Sequence, residues 1–418
     1  MEVVGVLGYG GEEVGFSDAQ QFMFASGHGL CVVDVDTGPK DICWRSENGI
    51  QRWAVHAMTQ TLVVAPKNDV SKITLMSPNS GSQNERSLDN PSTGCIISFA
   101  FSGDGKHLIG LSDHSDHRLI VWDIAAGCVL VSNLLPMKCK NLSINPLDFK
   151  SCVAYGDEGM TICQVSEVID EYSVKFEKLP ITFGPHGSVS LASYGVFSVK
   201  WLPQSGLLIA SSNGYLMHYD SITKIQRHVT SLVESSADNT LENAMPLFLT
   251  LSTKNIIVGY SNGIIKWFPY DVHARIGNET SLLQPVQELT LRTNDDSTDS
   301  NNLDDKLSCL CSDPTYEILI AGSRSGMMYK FPIHVQEKPV SDDFDEDGGD
   351  HDALRQASLS QEGNSVTATP AFIMQSGVSL CVKSMQLPVM SRSHQVVFED
   401  GTEVVQVDDK PTDARVHV

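Results

Sequence analysis

Short apolar strands recur along this chain in one unit, and that repetition limits its fold more than any other feature. Each unit is an apolar run, a turn holding Asp, Pro or Gly, a second apolar run ending in small residues, a turn, and a third run. The clearest copy reads Ile97 to Phe101, Ser102-Gly103-Asp104-Gly105, Leu108 to Ser112, then Leu119 to Asp123. A second runs Phe197 to Trp201, Leu207 to Ser211 and Gly214 to Asp220, and a third Leu307 to Leu310, Asp313-Pro314, Ile318 to Gly322 and Gly326 to Phe331. Weaker copies begin near Leu142 and Leu247, another spans Ala54 to Met76, and Phe22 to Asp34 makes the first. Helical periodicity is nearly absent. Val, Ile, Leu, Phe and Tyr runs broken by Gly, Ser, Asn and Asp clusters specify many short strands.

The residue before each third run gives the period. Gly29, Lys72, Arg118, Gly159, Gly214, Gly263 and Gly326 stand at intervals from 41 (Arg118 to Gly159) to 63 (Gly263 to Gly326). The shortest match the ~40–45 residues of a four-stranded propeller blade, and the longer ones carry inserts. One such sheet cannot cover both of its faces, but sheets packed radially cover each other and leave only short edges. The expected fold is all-β: a seven-bladed propeller with degenerate repeats over residues 1–335. The opening run Val3 to Leu7 is a candidate outer strand latching the first blade to the last.

Inserts at 228–243 and 277–305 are polar and acidic. After Phe331 the composition changes sharply: residues 341–352 hold seven acids and no base. Residues 336–370 therefore read as a disordered acidic linker. Residues 371–418 repeat the unit once more, as a partial eighth repeat or the start of a truncated second propeller.

Charge narrows the partners. Fifty-one acids against 29 bases give −22, which excludes a nucleic-acid surface built on Lys and Arg. It also argues against anionic membranes, and no apolar run approaches a membrane span. Other proteins are the expected partners. Met1-Glu2-Val3-Val4 lacks the basic start of a secretory signal, so a cytoplasmic location is expected. The ten cysteines include no C-x-x-C pair, and they read as reduced core residues.

Chemistry is hard to find. Gly5-Val6-Leu7-Gly8-Tyr9-Gly10-Gly11 looks like a phosphate loop, but Glu12-Glu13 follow where phosphate would sit, and no Gly-Lys-Ser/Thr does. His114-x-x-His117 with Asp113 and Asp116 lies in a polar turn without a further clustered ligand and reads as a solvated loop. No G-x-S-x-G or H-E-x-x-H occurs. No catalytic residue, cofactor or metal site is expected, and the chain is read as not an enzyme. Trp122, Trp201 and Trp267 fall in strands and should pack between blades. Trp44, Arg45, Arg52 and Trp53 flank a turn and are candidate interaction anchors, since Trp and Arg dominate interface hot spots. Ser341 and Ser358, in and beside the acidic linker, are candidate phosphorylation sites.

The units resemble WD repeats, with Trp122-Asp123 the one literal WD pair. The family's opening Gly-His is displaced to Gly27-His28, between two strands, so its structural His and that residue's network to a turn Asp cannot be mapped blade by blade. Within the class, three stretches resemble the N-terminal propeller of cilia- and flagella-associated WD-repeat proteins. They are Ser112 to Val165, with Leu142-Ser143-Ile144-Asn145-Pro146-Leu147-Asp148; Trp201 to Asp220; and Leu307 to Pro314. The resemblance covers about residues 15–335. It implies an axonemal scaffold, without catalysis, that tethers dynein arms or regulatory complexes to doublet microtubules in a cilium or flagellum. Such proteins continue into a second propeller and a coiled coil, so this chain is either a short relative or a truncated gene product. The alternative is a soluble cytoplasmic WD40 adaptor such as a ubiquitin-ligase substrate receptor. Those receptors often carry Trp-Asp-x-Arg, and here Ile124-Ala125 follow Trp122-Asp123.

Overall fold

The computed structural model describes residues 2–7, 13–26, 28–67, 69–79, 85–169, 171–179, 182–183, 189–190, 195–202, 206–223, 225–232, 245–252, 255–269, 285–291, 306–315, 317–324 and 328–333, and the strands 365–368, 379–387, 394–397, 404–407 and 414–416. Among these residues the regular structure is entirely strand. Seven antiparallel sheets follow one another along the chain, each with its strands in sequence order.

Blade one is Val14–Phe16, Gln21–Ser26, Gly29–Asp34 and Gly38–Arg45, and blade two is Ile50–His56, Thr61–Pro66, Lys72–Met76 and Arg86–Asp89. Blade three is Ile96–Phe101, His107–Ser112, Arg118–Asp123 and Cys128–Leu134. Blade four is Asn141–Asn145, Asp148–Gly156, Gly159–Val168 and Glu171–Lys178. Blade five is Val196–Trp201, Gly206–Ser211, Tyr215–Asp220 and Ile225–Ser231. Blade six is Pro246–Leu251, Asn255–Tyr260, Ile264–Pro269 and Gln287–Leu291. Blade seven has three described strands, Leu307–Ser312, Ile318–Ser323 and Met328–Pro332.

The recurring glycine before the third strand has a backbone cause. Gly159, Gly214 and Gly263 have φ of 114°, 83° and 83°, a region that costs an L side chain and that glycine enters freely. In blade three His117 holds this position, with φ of 48°. The repeat ruler therefore belongs on His117 rather than on Arg118.

The second strands are covered on both faces, so they read as continuous apolar runs rather than alternating ones. Gly206–Ser211 is buried at every position. The first strands stand innermost, each beside the first strand of the next blade, and the series closes from blade seven onto blade one. Seven hydrophobic clusters fill the seven gaps between neighbouring sheets. The closing cluster joins Phe16, Phe22, Phe24 and Val33 of blade one to Cys309, Ile320 and Met328 of blade seven. Trp122, Trp201 and Trp267 lie in the clusters between blades two and three, four and five, and six and seven. Each such side chain contributes on the order of 1.5–3 kcal/mol through burial. The molecule is a seven-bladed propeller.

The opening strand Glu2–Leu7 pairs antiparallel with Ser379–Leu387 and not with Met328–Pro332. Ser365–Ala368 runs parallel along the outer strand of blade six. His394–Val397 pairs with Val404–Val407.

Candidate interaction surfaces

Topology assigns every turn to one of two faces. In a four-stranded meander the first and third turns emerge at one end, while the second turn and the link to the next blade emerge at the other. We call these the turn face and the link face.

The link face is organised by Asp116, in the second turn of blade three. Its Oδ1 accepts from Ser92 Oγ at 2.7 Å and Ser112 Oγ at 2.7 Å, and its Oδ2 from the Thr93 amide at 3.0 Å. The Arg118 guanidinium lies 3.2 Å away. Burial opposes ionisation of Asp116, but these hydrogen bonds and the Arg118 charge outweigh it and hold the carboxyl below its usual range. A turn-Asp network is thus present in blade three, built on serine rather than on the family's histidine. Ser92 supplies the donor from the preceding link, where the sequence has no histidine. His117 accepts from the Cys139 amide at 3.1 Å and His114 lies against it with ring centroids 5.5 Å apart. Among the described residues no cluster of three or more His, Cys, Asp or Glu is arranged to hold a metal.

The four candidate anchors span the link from blade one to blade two, and the structure does not bring them into one patch. Arg45 is exposed and Trp44 partly so. Trp53 is only 7% exposed and packs in the cluster between blades one and two. Its ring passes so close to Gly15 that a Cβ there would lie 3.3 Å away. Arg52 spans inner strands: its Nε donates to the Ile97 carbonyl at 2.5 Å, and Nη1 lies 3.1 Å from Glu13 Oε1. Strand alternation explains the split, since Arg52 and Trp53 sit on opposite faces of one inner strand. Ser341 and Ser358 lie outside the described residues.

The turn face carries the most exposed large apolar side chains among the described residues. Ile169 is 91% exposed, Met58 84%, Leu147 79% and Ile222 72%, and Val168 and Val286 share this face. Ile169 also has φ of 51°, a costly setting for a β-branched residue. On this face the first turns also interlock with one another. Gln60 Nε2 donates to the Ser17 carbonyl at 2.5 Å, and His56 Nε2 lies 3.3 Å from the Gly103 carbonyl. A Cβ on Gly103 would strike the Pro146 carbonyl, so that position requires glycine. His107 stacks on Phe149 with centroids 3.6 Å apart and planes 7° from parallel. Burial lowers the pKa of both His56 and His107, against the raising effect of Asp104 on each.

Between the faces runs the channel lined by the inner strands. Those of blades two, three, five, six and seven carry register shifts at matching places: Ile50/Arg52, Ile96/Ser98, Val196/Ser198, Pro246/Phe248 and Leu307/Cys309. Counting two residues on from each shift aligns Ala54, Ala100, Lys200, Thr250 and Cys311 at one level. Thr250 Oγ1 and Ser312 Oγ are 3.0 Å apart across blades six and seven. Lys200 was not among the expected site residues, because one basic residue in an apolar strand carries no local signal of what faces it across a ring.

Comparison with known proteins places the fold alone. No family model matches the chain, and no curated protein matches it. Among solved structures it is similar to the Cps50 (Swd1) β-propeller domain of Myceliophteria thermophila, with 15% identity and a TM-score of 0.51 over 74% of this chain and 85% of that one. It is also similar to the computationally designed protein Ika8, with 13% identity and a TM-score of 0.50 over 79% of this chain and 85% of that one.

Proposed function

We propose that this protein is a non-catalytic scaffold that binds other proteins through its turn face. A propeller fold is consistent with a protein-interaction scaffold, and one observation carries the choice of face. Ile169, Met58, Leu147 and Ile222, the most exposed large apolar side chains described, all project from it. Apolar side chains in water cost free energy that a partner surface recovers on contact.

In its finer form the proposal is an axonemal component tethering dynein or regulatory complexes to doublet microtubules. Its support is the resemblance of Ser112 to Val165, Trp201 to Asp220 and Leu307 to Pro314 to propellers of that class. Ile124, buried at the position after Trp122-Asp123, begins a pair without the arginine a ligase-adaptor contact often uses. A tagged copy in a flagellated cell is expected to remain with the detergent-extracted axoneme. A diffuse cytosolic signal released by detergent would contradict the axonemal form and favour a soluble adaptor.

A further inference from the structure

Lys200 is the next-to-last residue of its inner strand, so it lies at the end of the channel that opens on the turn face. Its neighbours Val199 and Trp201 belong to the cluster between blades four and five. Alternation turns Lys200 the other way, toward blade six and the channel. The Cys311 thiol, two blades on at the same level, is the titratable group that acts on its amine. Among the described residues no carboxylate pairs with it. The neighbouring acid of blade seven, Asp313, is 1% exposed and already accepts from the Glu317 and Ile318 amides at 2.7 Å each and from Thr315. Arg52, the other Lys or Arg of the inner strands among the described residues, has its acid in Glu13.

A partly buried lysine with no carboxylate beside it is left short of compensation, which an anion arriving with its own hydrogen-bonding oxygens supplies. Here the cation lies in a chain of net charge −22, at a mouth ringed by the first turns, of which Met58 and Leu147 are strongly exposed, while Ile169 and Ile222 stand farther out on third turns. An acidic group within an otherwise apolar partner segment matches both features.

We propose that the channel mouth on the turn face receives the carboxylate of a Glu or Asp side chain from such a segment, with Lys200 Nζ as its ion-pair partner. This inference rests on the scaffold reading and names the chemistry of the partner. Burial, with Cys311 opposing it, holds the free amine's pKa below its ordinary value. An entering carboxylate favours the charged amine, so binding takes up protons and weakens as pH rises past the free amine's pKa.

The test uses the full chain and two fluorescein-labelled peptides, Leu-Ile-Glu-Ile-Leu and Leu-Ile-Gln-Ile-Leu, titrated by anisotropy. The Glu peptide is expected to bind about tenfold more tightly than the Gln peptide, the effect of one charge-assisted contact. Lys200→Met should abolish that difference and Lys200→Arg should retain part of it, with thermal melts showing both variants folded. Lys140→Met, on the link face, should leave it unchanged. Equal binding of the two peptides, binding of neither, or a Glu preference that survives Lys200→Met would overturn the proposal. So would inorganic phosphate displacing the Glu peptide at concentrations below the peptide's own Kd, since the site would then hold a free anion. A Lys200→Met chain that loses the Glu preference supports the proposal whatever its location in the cell. Release of the wild-type chain from the axoneme counts only against the axonemal reading.

Discussion

The indole Nε1–H of Trp122 in blade three donates to the Asp89 carbonyl on the outer strand of blade two, at 2.8 Å. Burial in the same seam is complete, with Trp122 at 0% exposure. Trp201 makes a comparable bond to the Ser143 carbonyl of blade four at 3.1 Å. Trp267, buried between blades six and seven, has no partner for its Nε1 among the described residues.

The tryptophans should therefore respond differently to one substitution. Trp122→Phe loses ring area and also strands the Asp89 carbonyl, at a cost of about 2–4 kcal/mol. Trp267→Phe loses similar area but removes an unsatisfied donor, so its cost should be smaller by about 1 kcal/mol or more. Urea midpoints at constant m-value compare the two. A Trp267→Phe chain as unstable as Trp122→Phe would contradict this assignment.

Asp116 ties blade three to the link before it. Asp116→Ala leaves the Ser112 hydroxyl and the Thr93 amide without this acceptor, with Ser92 Oγ keeping the Gly94 carbonyl at 3.2 Å, and should cost about 2–4 kcal/mol. Its folded pKa is depressed, so its stabilisation is complete above the unfolded value near 3.8 and is lost as pH falls through the folded one. Acid unfolding of the wild type should therefore steepen below about pH 4, and Asp116→Ala should remove part of that slope. An unchanged slope would show that the network does not stabilise the fold.

His56 and His107 act at higher pH. Both have folded pKa values lowered from 6.5, chiefly by burial. Protonation thus favours the unfolded chain. Their contribution is whole above about pH 6.5 and declines on acidification toward the folded values. Thermal melts between pH 7.5 and 5.5 should show a falling Tm, with a shallower fall in His107→Gln. A Tm that rises over this range would give the wrong sign.

The cysteines should separate by reactivity. Cys128 is exposed and should label quickly with iodoacetamide. Burial pushes the Cys139 thiol up to about 12. A hydrogen bond with Cys152, then burial, raises Cys163, and thiolates are the reactive form. Mass spectrometry of the native protein should find Cys128 modified and Cys139, Cys152 and Cys163 unmodified until urea is added. Native labelling of the blade-four pair would mean that the seam between blades three and four opens.

Much of this fold is written locally. The apolar second strands and the glycines at 159, 214 and 263 are dictated within a few residues, so the strand order and number of blades follow from pattern alone. Positions set by contacts between blades are less accessible. His117 takes a glycine's backbone conformation, Ser92 takes a donor's place where the family uses histidine, and Trp53 packs between blades because it follows Arg52 on the opposite face of one inner strand. Lys200 acquires its setting only when blades five and seven meet across the channel, more than a hundred residues apart in sequence.

Hydrogen exchange of the protein alone and loaded onto isolated axonemes locates its binding surface most directly. Slowed exchange is predicted at residues 57–60, 146–148, 168–169 and 221–223, the turns that present Met58, Leu147, Ile169 and Ile222. Slowing confined to the link face, at residues 46–49, 90–94 and 113–117, would contradict a scaffold that binds through its turn face, and the absence of slowing on either face would contradict its axonemal form.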